Sequence, residues 1–421
     1  MDKIIIEGGY KLKGSLQISG AKNAALPILA ACLLTDEVSV IENVPRLVDI
    51  YTMIKILKAL SVKVDFDKDK IVVNPGKLSR YIAPYRLVST MRASICVLGP
   101  LLAKLGRAHV SMPGGCVIGS RPIDLHLKGL KFLGANIRID HGYIKTEAKH
   151  LKGNVVYLGG AFGSSVLATA NVMMAATLAR GKTVIENAAC EPEIVDLSDF
   201  LIKMGARIKG LGSNIIEIEG VKKLKGAKHK IIPDRIEAGT YMIAAALTGG
   251  EVDLKGARPE QMGVVIDKLR QSGVVVKRRP GGIYIKRTSR RLRPIEITTL
   301  PFPGFPTDLQ AQFAAFLSLI KGISIIREKI YPRRFMHINE LNRMGARIKL
   351  ERDTAIIEGT NSLSGAPVMA SDLRASAALV LAGLVAKGKT EISRIYHLDR
   401  GYERLEEKLS GIGAKIWREK V

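Results

Sequence analysis

Cysteine, aromatic residues and acidic residues are all scarce in this 421-residue chain. The four cysteines are too few and too scattered for a disulfide framework, and they lack the paired spacing of a zinc site. No apolar stretch approaches the ~18 residues that a membrane-spanning helix needs, and the first seven residues carry charge too early for a signal peptide. We therefore expect free thiols and a cytoplasmic protein without a membrane span.

Acidic residues are outnumbered, with 39 Asp and Glu against 65 Lys and Arg, which gives a net charge of +26. Such an excess favours either a nucleic-acid binder or an enzyme that acts on anionic substrates. The densest basic segments, 222–230 and 277–293, contain almost no aromatic residues, whereas a single-strand binder stacks bases on aromatic rings. We therefore expect anionic small molecules, and not nucleic acid, as the partners.

A short phrase recurs six times at intervals of about 70 residues, which indicates a repeated structural unit. The phrase consists of five residues in this order: an apolar residue, Gly, Ala, any residue and Ile. Full copies stand at 133–137, 204–208, 344–348 and 412–416, and weaker copies at 60–64 and 272–276. A helix-period segment, such as 194–203, precedes each copy. A turn and an alternating strand follow, at 70–73, 143–145, 214–218, 282–285 and 354–357.

Most repeats also carry an Ala-rich helix and a strand further upstream, so the unit is helix, strand, helix, strand, turn, strand. Six units divide naturally into two domains of three, with a boundary in the Lys-rich segment 222–230. Residues 3–19 have a strand pattern of their own and are expected to pair with the second domain. We predict an N-terminal domain of residues 20–229 and a C-terminal domain of residues 1–19 plus 230–421, with a ligand site in the cleft.

Residues 383–390 match the phosphate-loop pattern GxxxxGK[ST]. A phosphate loop must follow a strand and open a helix, so that the helix amides face the phosphate. Here the predicted helix, 375–386, comes first and the strand, 390–392, comes second. We interpret the match as a helix end with a glycine cap.

The glycine-rich segment 111–122 follows a predicted strand and precedes a helix that begins near Ile123. Glycine lets the backbone approach a ligand closely, and Arg121 adds positive charge beside the helix N-terminus. Cys116 is expected to have a lowered pKa in that setting and to be reactive. A surface loop with an incidental thiol fits the sequence equally well.

Asp308 opens another predicted helix, where it either caps the helix or accepts a proton from a substrate hydroxyl. Asp234 and Asp372 begin other helices in the same way, so capping explains much of the pattern. Six cations lie near predicted helix N-termini, and their convergence would bind a ligand with several negative charges. They are Lys22, Arg92, Arg121, Arg334, Arg374 and Arg400.

Several long stretches together resemble the enolpyruvyl transferases that act on UDP-N-acetylglucosamine. They are 18–27, 91–95, 113–126, 305–312, 334–337, 372–376 and 395–403, and the resemblance covers essentially the whole chain. It implies an α/β (α+β) fold of two similar domains, each an inside-out α/β barrel-like assembly of three βαβαββ units. It also implies transfer of the enolpyruvyl group of phosphoenolpyruvate to the sugar 3′-hydroxyl with release of phosphate, the first committed step of peptidoglycan synthesis. We expect no metal and no cofactor, and we favour a monomer.

The resemblance also assigns roles by motif position. Cys116 resembles the family's general acid, which can form a covalent adduct with phosphoenolpyruvate and is the target of fosfomycin. Asp308 resembles the base at the 3′-hydroxyl, and Lys22, Arg121 and Arg400 resemble the clamp on phosphoenolpyruvate. Ser165 and Val166 resemble the diphosphate contact. The other implied substrate contacts are Asn23, Arg92, Arg121, Pro122, Ile123, Asp124, Leu125, Asp308, the backbone of Ile330, Arg334, Asp372 and Arg374.

Two alternatives remain at this point. One is the sister enzyme that transfers the same group to shikimate 3-phosphate, which the Pro-Gly-Gly-Cys sequence at 113–116 disfavours. The other is a non-catalytic binder of anions or nucleic acid, which the presence of Cys116, Asp308 and Lys22 disfavours. Turnover measured against binding, and the salt dependence of any DNA affinity, would separate them.

Overall fold

The computed structural model describes residues 2–114, 123–288 and 291–420. Within these ranges the chain divides into two compact units. The N-terminal unit consists of residues 20–114 and 123–232, and the C-terminal unit of residues 2–19 and 233–420. The sequence placed the boundary after residue 229. In the structure it falls after residue 232, because Lys228–Lys230 form a strand within the N-terminal unit.

The described residues contain 26 strands and 13 α-helices. The strands are β1 (Lys3–Glu7), β2 (Lys13–Gln17), β3 (Ser39–Glu42), β4 (Lys63–Asp67), β5 (Lys70–Asn74), β6 (Ile82–Ala83), β7 (Arg107–Ser111), β8 (Asn136–Asp140), β9 (Tyr143–Glu147), β10 (Val155–Tyr157), β11 (Gly159–Gly160), β12 (Gly163–Ser164), β13 (Lys182–Glu186), β14 (Arg207–Lys209), β15 (Ile215–Glu219), β16 (Lys228–Lys230), β17 (Glu251–Lys255), β18 (Val275–Arg279), β19 (Gly282–Lys286), β20 (Glu296–Thr298), β21 (Ile323–Arg327), β22 (Arg347–Glu351), β23 (Thr354–Glu358), β24 (Pro367–Met369), β25 (Lys389–Ser393) and β26 (Lys415–Glu419).

The α-helices are α1 (Lys22–Ala31), α2 (Val48–Ala59), α3 (Tyr85–Val88), α4 (Leu98–Leu105), α5 (Asp124–Phe132), α6 (Val166–Ala176), α7 (Pro192–Lys203), α8 (Arg235–Thr248), α9 (Gly263–Gln271), α10 (Gln310–Leu317), α11 (His337–Arg343), α12 (Leu373–Gly383) and α13 (Leu405–Ser410). Short 3-10 helices span Cys32–Leu34, Arg92–Val97, Pro259–Gln261, Thr307–Leu309 and Ile395–Arg400.

Six four-stranded sheets, one for each repeat, lie in the described part of the chain. In the order in which the strands lie in each sheet, the first two strands are parallel and the other neighbouring strands are antiparallel. In repeats 2, 3, 5 and 6 a helical segment connects the two parallel strands, because parallel strands need a crossover connection. In repeat order the sheets are β16-β3-β5-β4, β6-β7-β9-β8, β10-β13-β15-β14, β2-β17-β19-β18, β20-β21-β23-β22 and β24-β25-β1-β26.

Three repeats are completed by a strand from a distant part of the sequence. β16 supplies the first strand of repeat 1, and β2 supplies the first strand of repeat 4. β1 lies between β25 and β26 in repeat 6, where Lys3 is opposite Glu419. The predicted pairing of residues 3–19 with the C-terminal domain is therefore confirmed.

The recurring phrase marks the end of the second helix in each repeat. Its glycines have φ values of +91° to +103°: Gly134, Gly205, Gly345 and Gly413. Residues with a Cβ disfavour this conformation, although Ser61 adopts a φ of +70° at the same place in repeat 1. After α5 the amides of Gly134 and Ala135 donate to the carbonyls of Lys131 and Leu130, respectively. This is the Schellman motif, so the phrase is a helix-ending signal.

Each unit has its own apolar core. The Ala-rich helices run through these cores; Ala168 to Ala176 of α6, for example, are all buried. The strands alternate between buried and exposed residues, as in β15 and β23. Helices inside and open sheets outside confirm the expected α/β class with three repeats in each unit. No helix in the described ranges is long and apolar enough to cross a membrane.

Candidate active site

Asp308 is the centre of the charged cluster in the C-terminal unit. Its two carboxylate oxygens accept hydrogen bonds from Nη1 of Arg334 at 2.7 Å and from Nη2 of Arg374 at 2.8 Å. The arginine side chains are only 9% and 4% exposed, whereas that of Asp308 is 26% exposed. Burial alone would raise the pKa of Asp308, but the two guanidinium groups outweigh it and hold the pKa well below its usual range. The carboxylate is therefore ionised and accessible.

The capping interpretation of Asp308 is wrong. Its side chain makes no cap hydrogen bond at the Thr307–Leu309 helix, whereas Asp234 and Asp372 do cap α8 and α12. Three segments that are remote in sequence, the Thr307–Leu309 helix and the starts of α11 and α12, converge on Asp308. Of the six cations that the sequence predicts to converge, Arg334 and Arg374 thus meet in this unit, on the carboxylate of Asp308.

Polar side chains behind Asp308 fix its backbone. Nε2 of Gln312 donates to the Asp308 carbonyl at 2.9 Å and to the Tyr402 hydroxyl at 3.1 Å. Arg374 lies over the ring of the buried Tyr402, 5.5 Å from its centroid. Arg400, two residues before Tyr402, ends the Ile395–Arg400 helix and precedes α13 by five residues. Arg400 therefore lies ahead of α13, the second helix of its repeat, and a 3-10 helix stands immediately before that position.

A second carboxylate, that of Glu328, lies directly after β21 and is fully buried. Its Oε1 accepts from the backbone amides of Ile330 and Tyr331, each at 2.9 Å. Since the Ile330 amide is used in this way, its carbonyl is the backbone group left for a ligand. Oε2 of Glu328 accepts from Thr307 at 2.9 Å, and Thr307 in turn accepts from Arg334 at 3.1 Å.

Asp372 and His337 lie beside the same arginines. Oδ1 of Asp372 accepts from the amides of Arg374 at 2.9 Å and Ala375 at 3.2 Å, and so satisfies the start of α12. Burial lowers the pKa of His337 to about 4, with Arg334 adding to the effect and Asp372 opposing it. His337 is therefore neutral at pH 7.

Lys22 in the N-terminal unit is a buried cation at the first position of α1. Its Nζ donates to Oδ2 of Asp49 at 3.0 Å, and the two residues are 8% and 3% exposed. The interpretation of Lys22 as a solvated lysine is therefore wrong. α1 has no side-chain N-cap, so Lys22 and the neighbouring half-buried Asn23 stand at a helix end whose partial charge is positive.

The Asn171 side chain on α6 ties together three other elements of the N-terminal unit. Its Oδ1 accepts from the Gly99 amide at 2.8 Å, and its Nδ2 donates to the Ile95 carbonyl at 2.8 Å and to Nδ1 of His126 at 2.9 Å. Burial, aided by the charge of Arg92, lowers the pKa of His126 to about 3. This network fixes the Arg92–Val97 helix, and with it Arg92, against α5 and α6.

The starts of α5 and α6 lie close together. Ile123 is buried, Leu125 half-buried and Asp124 exposed. A Cβ on Gly160, in the β11–β12 hairpin that leads to α6, would stand 3.2 Å from Leu125. Ser165 caps α6 with a long hydrogen bond from the Ala168 amide, 3.4 Å, and Val166 is the first residue of the helix. The structure therefore places Leu125 beside the hairpin that leads to α6, the helix that begins at Val166.

Cys116, Arg121 and Pro122 lie outside the described residues. Of the other predicted site residues, Asp308, Ile330, Arg334, Asp372, Arg374 and Arg400 belong to the C-terminal unit. Lys22, Asn23, Arg92, Ile123, Asp124, Leu125, Ser165 and Val166 belong to the N-terminal unit.

Asp49, Glu328 and Asn171 are three further buried polar residues of these networks that were not predicted from the sequence. Asp49 did carry a signal, because it lies on the apolar face of α2 with Met53 and Ile56.

The known proteins that this chain resembles are all described as enolpyruvyl (carboxyvinyl) transferases. A family model described as EPSP synthase (3-phosphoshikimate 1-carboxyvinyltransferase) matches residues 6–409. The chain is 55% identical over 419 residues, 99% of both chains, to UDP-N-acetylglucosamine 1-carboxyvinyltransferase 2 of Carboxydothermus hydrogenoformans. It is 54% identical over 424 residues, 100% of both chains, to the UDP-N-acetylglucosamine 1-carboxyvinyltransferase of Myxococcus xanthus. Its fold matches the crystal structure of the enolpyruvyl transferase NikO from Streptomyces tendae with a TM-score of 0.91 at 24% identity, over 100% of this chain and 99% of that one.

Proposed function

The chain belongs to the EPSP synthase family of enolpyruvyl transferases, and on that premise we propose that it transfers the enolpyruvyl group of phosphoenolpyruvate to the 3′-hydroxyl of UDP-N-acetylglucosamine, releasing phosphate. The full-length relatives at 54–55% identity carry the name of this activity. The reaction is the first committed step of peptidoglycan synthesis. We place the enzyme in the cytoplasm as a monomer.

The observation that carries the proposal is the ionised, accessible carboxylate of Asp308 between two buried arginines. A base must be deprotonated before it acts, and the low pKa of Asp308 ensures this at neutral pH. The same low pKa makes Asp308 a weak acceptor of protons from a free hydroxyl. Proton transfer to Asp308 therefore accompanies formation of the bond between the hydroxyl oxygen and C2 of phosphoenolpyruvate, because the hydroxyl becomes acidic as that bond forms.

The reaction has an addition step and an elimination step. In the addition, the 3′-oxygen bonds to C2 of phosphoenolpyruvate, Asp308 takes the hydroxyl proton, and the thiol of Cys116 gives a proton to the methylene carbon C3. In the elimination, the bond between C2 and the phosphate oxygen breaks, C3 returns a proton to the Cys116 thiolate, and the double bond re-forms. The departing phosphate takes the proton from Asp308, so both groups regain their starting state. Lys22, Arg121 and Arg400 hold the carboxylate and phosphate of phosphoenolpyruvate, where their positive charge stabilises the developing negative charge.

The sugar nucleotide is assigned to residues of both units. Arg92, Arg121, Pro122 and the start of α5 at 123–125 bind it together with Asn23, Ser165 and Val166. In the C-terminal unit the Ile330 carbonyl accepts a hydrogen bond from it, since the Ile330 amide is already bonded to Glu328. Arg334, Arg374 and Asp372 support Asp308 at the 3′-hydroxyl.

Phosphate release tests the proposal directly. Phosphoenolpyruvate is supplied with either UDP-N-acetylglucosamine or shikimate 3-phosphate, with and without fosfomycin, to the wild-type protein and to Cys116→Asp. We expect release only with the sugar nucleotide, inhibition of the wild type by fosfomycin, and resistance of Cys116→Asp.

Release only with shikimate 3-phosphate would retain the fold and overturn the acceptor. Absence of release with both acceptors would contradict an enzymatic role and direct attention to binding of anions by the +26 chain. Light scattering of the purified protein checks the monomer, which a dimer mass would contradict.

A further inference from the structure

Glu328 is a buried charge that the proposed mechanism does not use. Among the described residues, four donors reach its carboxylate: the hydroxyls of Thr299 and Thr307 and the amides of Ile330 and Tyr331. A buried carboxylate is costly unless it is fully hydrogen-bonded, and a neutral side chain could fill the same space. The hydrogen bonds around Glu328 therefore indicate what a carboxylate does at this position that a neutral side chain would not.

The direction of each hydrogen bond at Thr307 is fixed by its neighbours. A carboxylate only accepts and a guanidinium only donates. The hydroxyl of Thr307 must therefore give its hydrogen to Glu328 and accept from Nη1 of Arg334. The same Nη1 donates to Asp308 at 2.7 Å. A continuous chain of hydrogen bonds thus runs from Glu328 through Thr307 and Arg334 to the Asp308 carboxylate.

The other oxygen of Glu328 fixes the segment that leads to Arg334. It accepts from Thr299 at 2.7 Å and holds the amides of Ile330 and Tyr331. The carbonyl of Tyr331 then accepts from the Arg334 amide at 2.8 Å. One carboxylate therefore sets both the backbone at Ile330 and the guanidinium group beside Asp308.

We propose that Glu328 is a positioning residue for the acceptor substrate: it orients Arg334 against Asp308 through Thr307 and orients the Ile330 carbonyl by holding its turn. This rests on the proposed function, because Asp308 and Ile330 are the groups assigned there to the sugar nucleotide. Glu328 itself does not contact the substrate.

The first test is Glu328→Gln, which keeps the size of the side chain. The amide oxygen must stay at the site of Oε1, where three donors meet, so the amide NH2 faces Thr307. The Thr307 hydrogen then has no carboxylate to receive it, and the contact with Arg334 is disturbed. We expect kcat to fall about ten-fold or more, because small errors in orientation are costly to catalysis. The KM for phosphoenolpyruvate should stay within about two-fold, since its clamp is built from other residues.

Three further variants separate positioning from general stability. Thr307→Val removes the link to Arg334 but leaves the bonds between Glu328 and the turn intact, and it should lower kcat to a similar extent. Thr307→Ser keeps the hydroxyl and should restore kcat to within about two-fold of the wild type. Glu358→Gln removes an exposed carboxylate at the end of β23 and should behave as the wild type.

Each outcome decides the proposal. Unchanged kcat in Glu328→Gln or Thr307→Val, or a loss in Thr307→Ser equal to that in Thr307→Val, would overturn it. If Glu328→Gln does not fold, Thr307→Val and Thr307→Ser decide alone. Wild-type protein that releases no phosphate with UDP-N-acetylglucosamine would instead refute the proposed function, which is a separate result.

Discussion

At the scale of single residues, two buried arginines share the one carboxylate of Asp308, and their two positive charges lower its pKa. Arg334 and Arg374 need a counter-charge because both are almost fully buried. Asp308 supplies it and still exposes part of its carboxylate. The cluster therefore combines a structural ion pair with an accessible acceptor of protons.

We expect Asp308→Asn to lower kcat by about 100-fold or more, because an amide cannot accept the hydroxyl proton. The measurement is steady-state phosphate release at saturating concentrations of both substrates. Asp253→Asn is the matched control, since Asp253 pairs with Arg279 on the exposed face of a sheet in the same unit. An Asp308→Asn enzyme with wild-type kcat would remove Asp308 from the role of base.

Two neutral, buried histidines predict a loss of stability in mild acid. Burial lowers the pKa of His126 to about 3 and that of His337 to about 4, whereas an unfolded histidine has a pKa near 6.5. Below pH ~6.5 these two histidines become protonated in the unfolded chain but stay neutral in the folded chain until the pH approaches their lowered pKa values. The stabilising contribution is therefore complete above pH ~6.5 and declines as the pH falls, by about 1.4 kcal/mol per pH unit for each histidine.

Urea unfolding at pH 7.5, 6.5 and 5.5 measures this decline. Replacement of His126 by Gln should reduce the slope, and His141→Gln should not, because the His141 side chain is 92% exposed. Asp308 does not contribute in this range, since it is ionised in both states above pH ~5. A free energy of unfolding that is constant from pH 7.5 to 5.5 would contradict the prediction.

The sequence predicts most charged groups of the candidate site but not their partners. Lys22 and Asp308 lie in stretches that resemble a known family, so both could be predicted as site residues from the sequence. The pairing of Lys22 with Asp49 and the bonds of Glu328 depend on packing between segments 27 and 21 residues apart, respectively. No spacing rule relates these residues, because tertiary contacts and not helix or strand periodicity bring them together.

At the scale of elements, the repeat was predictable because its turn has a chemical requirement. The residue that ends each second helix has a positive φ, which favours glycine, so the same short phrase recurs in the sequence. The phosphate-loop match was correctly rejected for a related reason, since α12 ends at Gly383 and β25 begins at Lys389. By contrast, the 3-10 helices at 92–97 and 395–400 lack such a signal, and periodicity alone does not distinguish them from α-helices.

Helix caps give a prediction at this scale. Oδ1 of Asp234 accepts from the amides of Ile236 at 2.8 Å and Glu237 at 3.0 Å at the start of α8. Asp234→Ala should lower the free energy of unfolding by about 1–2 kcal/mol, and Asp234→Asn, which keeps a capping oxygen, should lower it much less. Urea denaturation of the two variants tests this difference, and equal losses would show that the cap is not the cause.

At the scale of the whole molecule, the C-terminal unit is built from both ends of the chain. Ile4, Ile5 and Ile6 of β1 are fully buried between β25 and β26, and β2 forms an edge of the repeat-4 sheet. The sequence indicated this arrangement because residues 3–19 carry a strand pattern before the first repeat. The order of strands within the sheet was not readable, since it depends on long-range register.

We therefore expect a fragment of residues 233–421 not to fold alone. The same fragment followed by a short Gly-Ser linker and residues 1–19 should fold, because Lys3 lies opposite Glu419 and a short linker spans the gap. Circular dichroism and urea unfolding compare the two fragments. Cooperative unfolding of residues 233–421 with the same midpoint as the linked fragment would contradict the expectation.

The place of β1 between β25 and β26 also sets an order of events during synthesis. Residues 3–7 leave the ribosome long before their partners at 389–392 and 415–419. At 5–20 residues per second this delay is about 20–80 seconds. Throughout that time the nascent chain carries an apolar strand without its two neighbouring strands. The residues of the N-terminal unit are therefore all synthesised while the sheet of repeat 6 is still incomplete, and β25 and β26 complete that sheet.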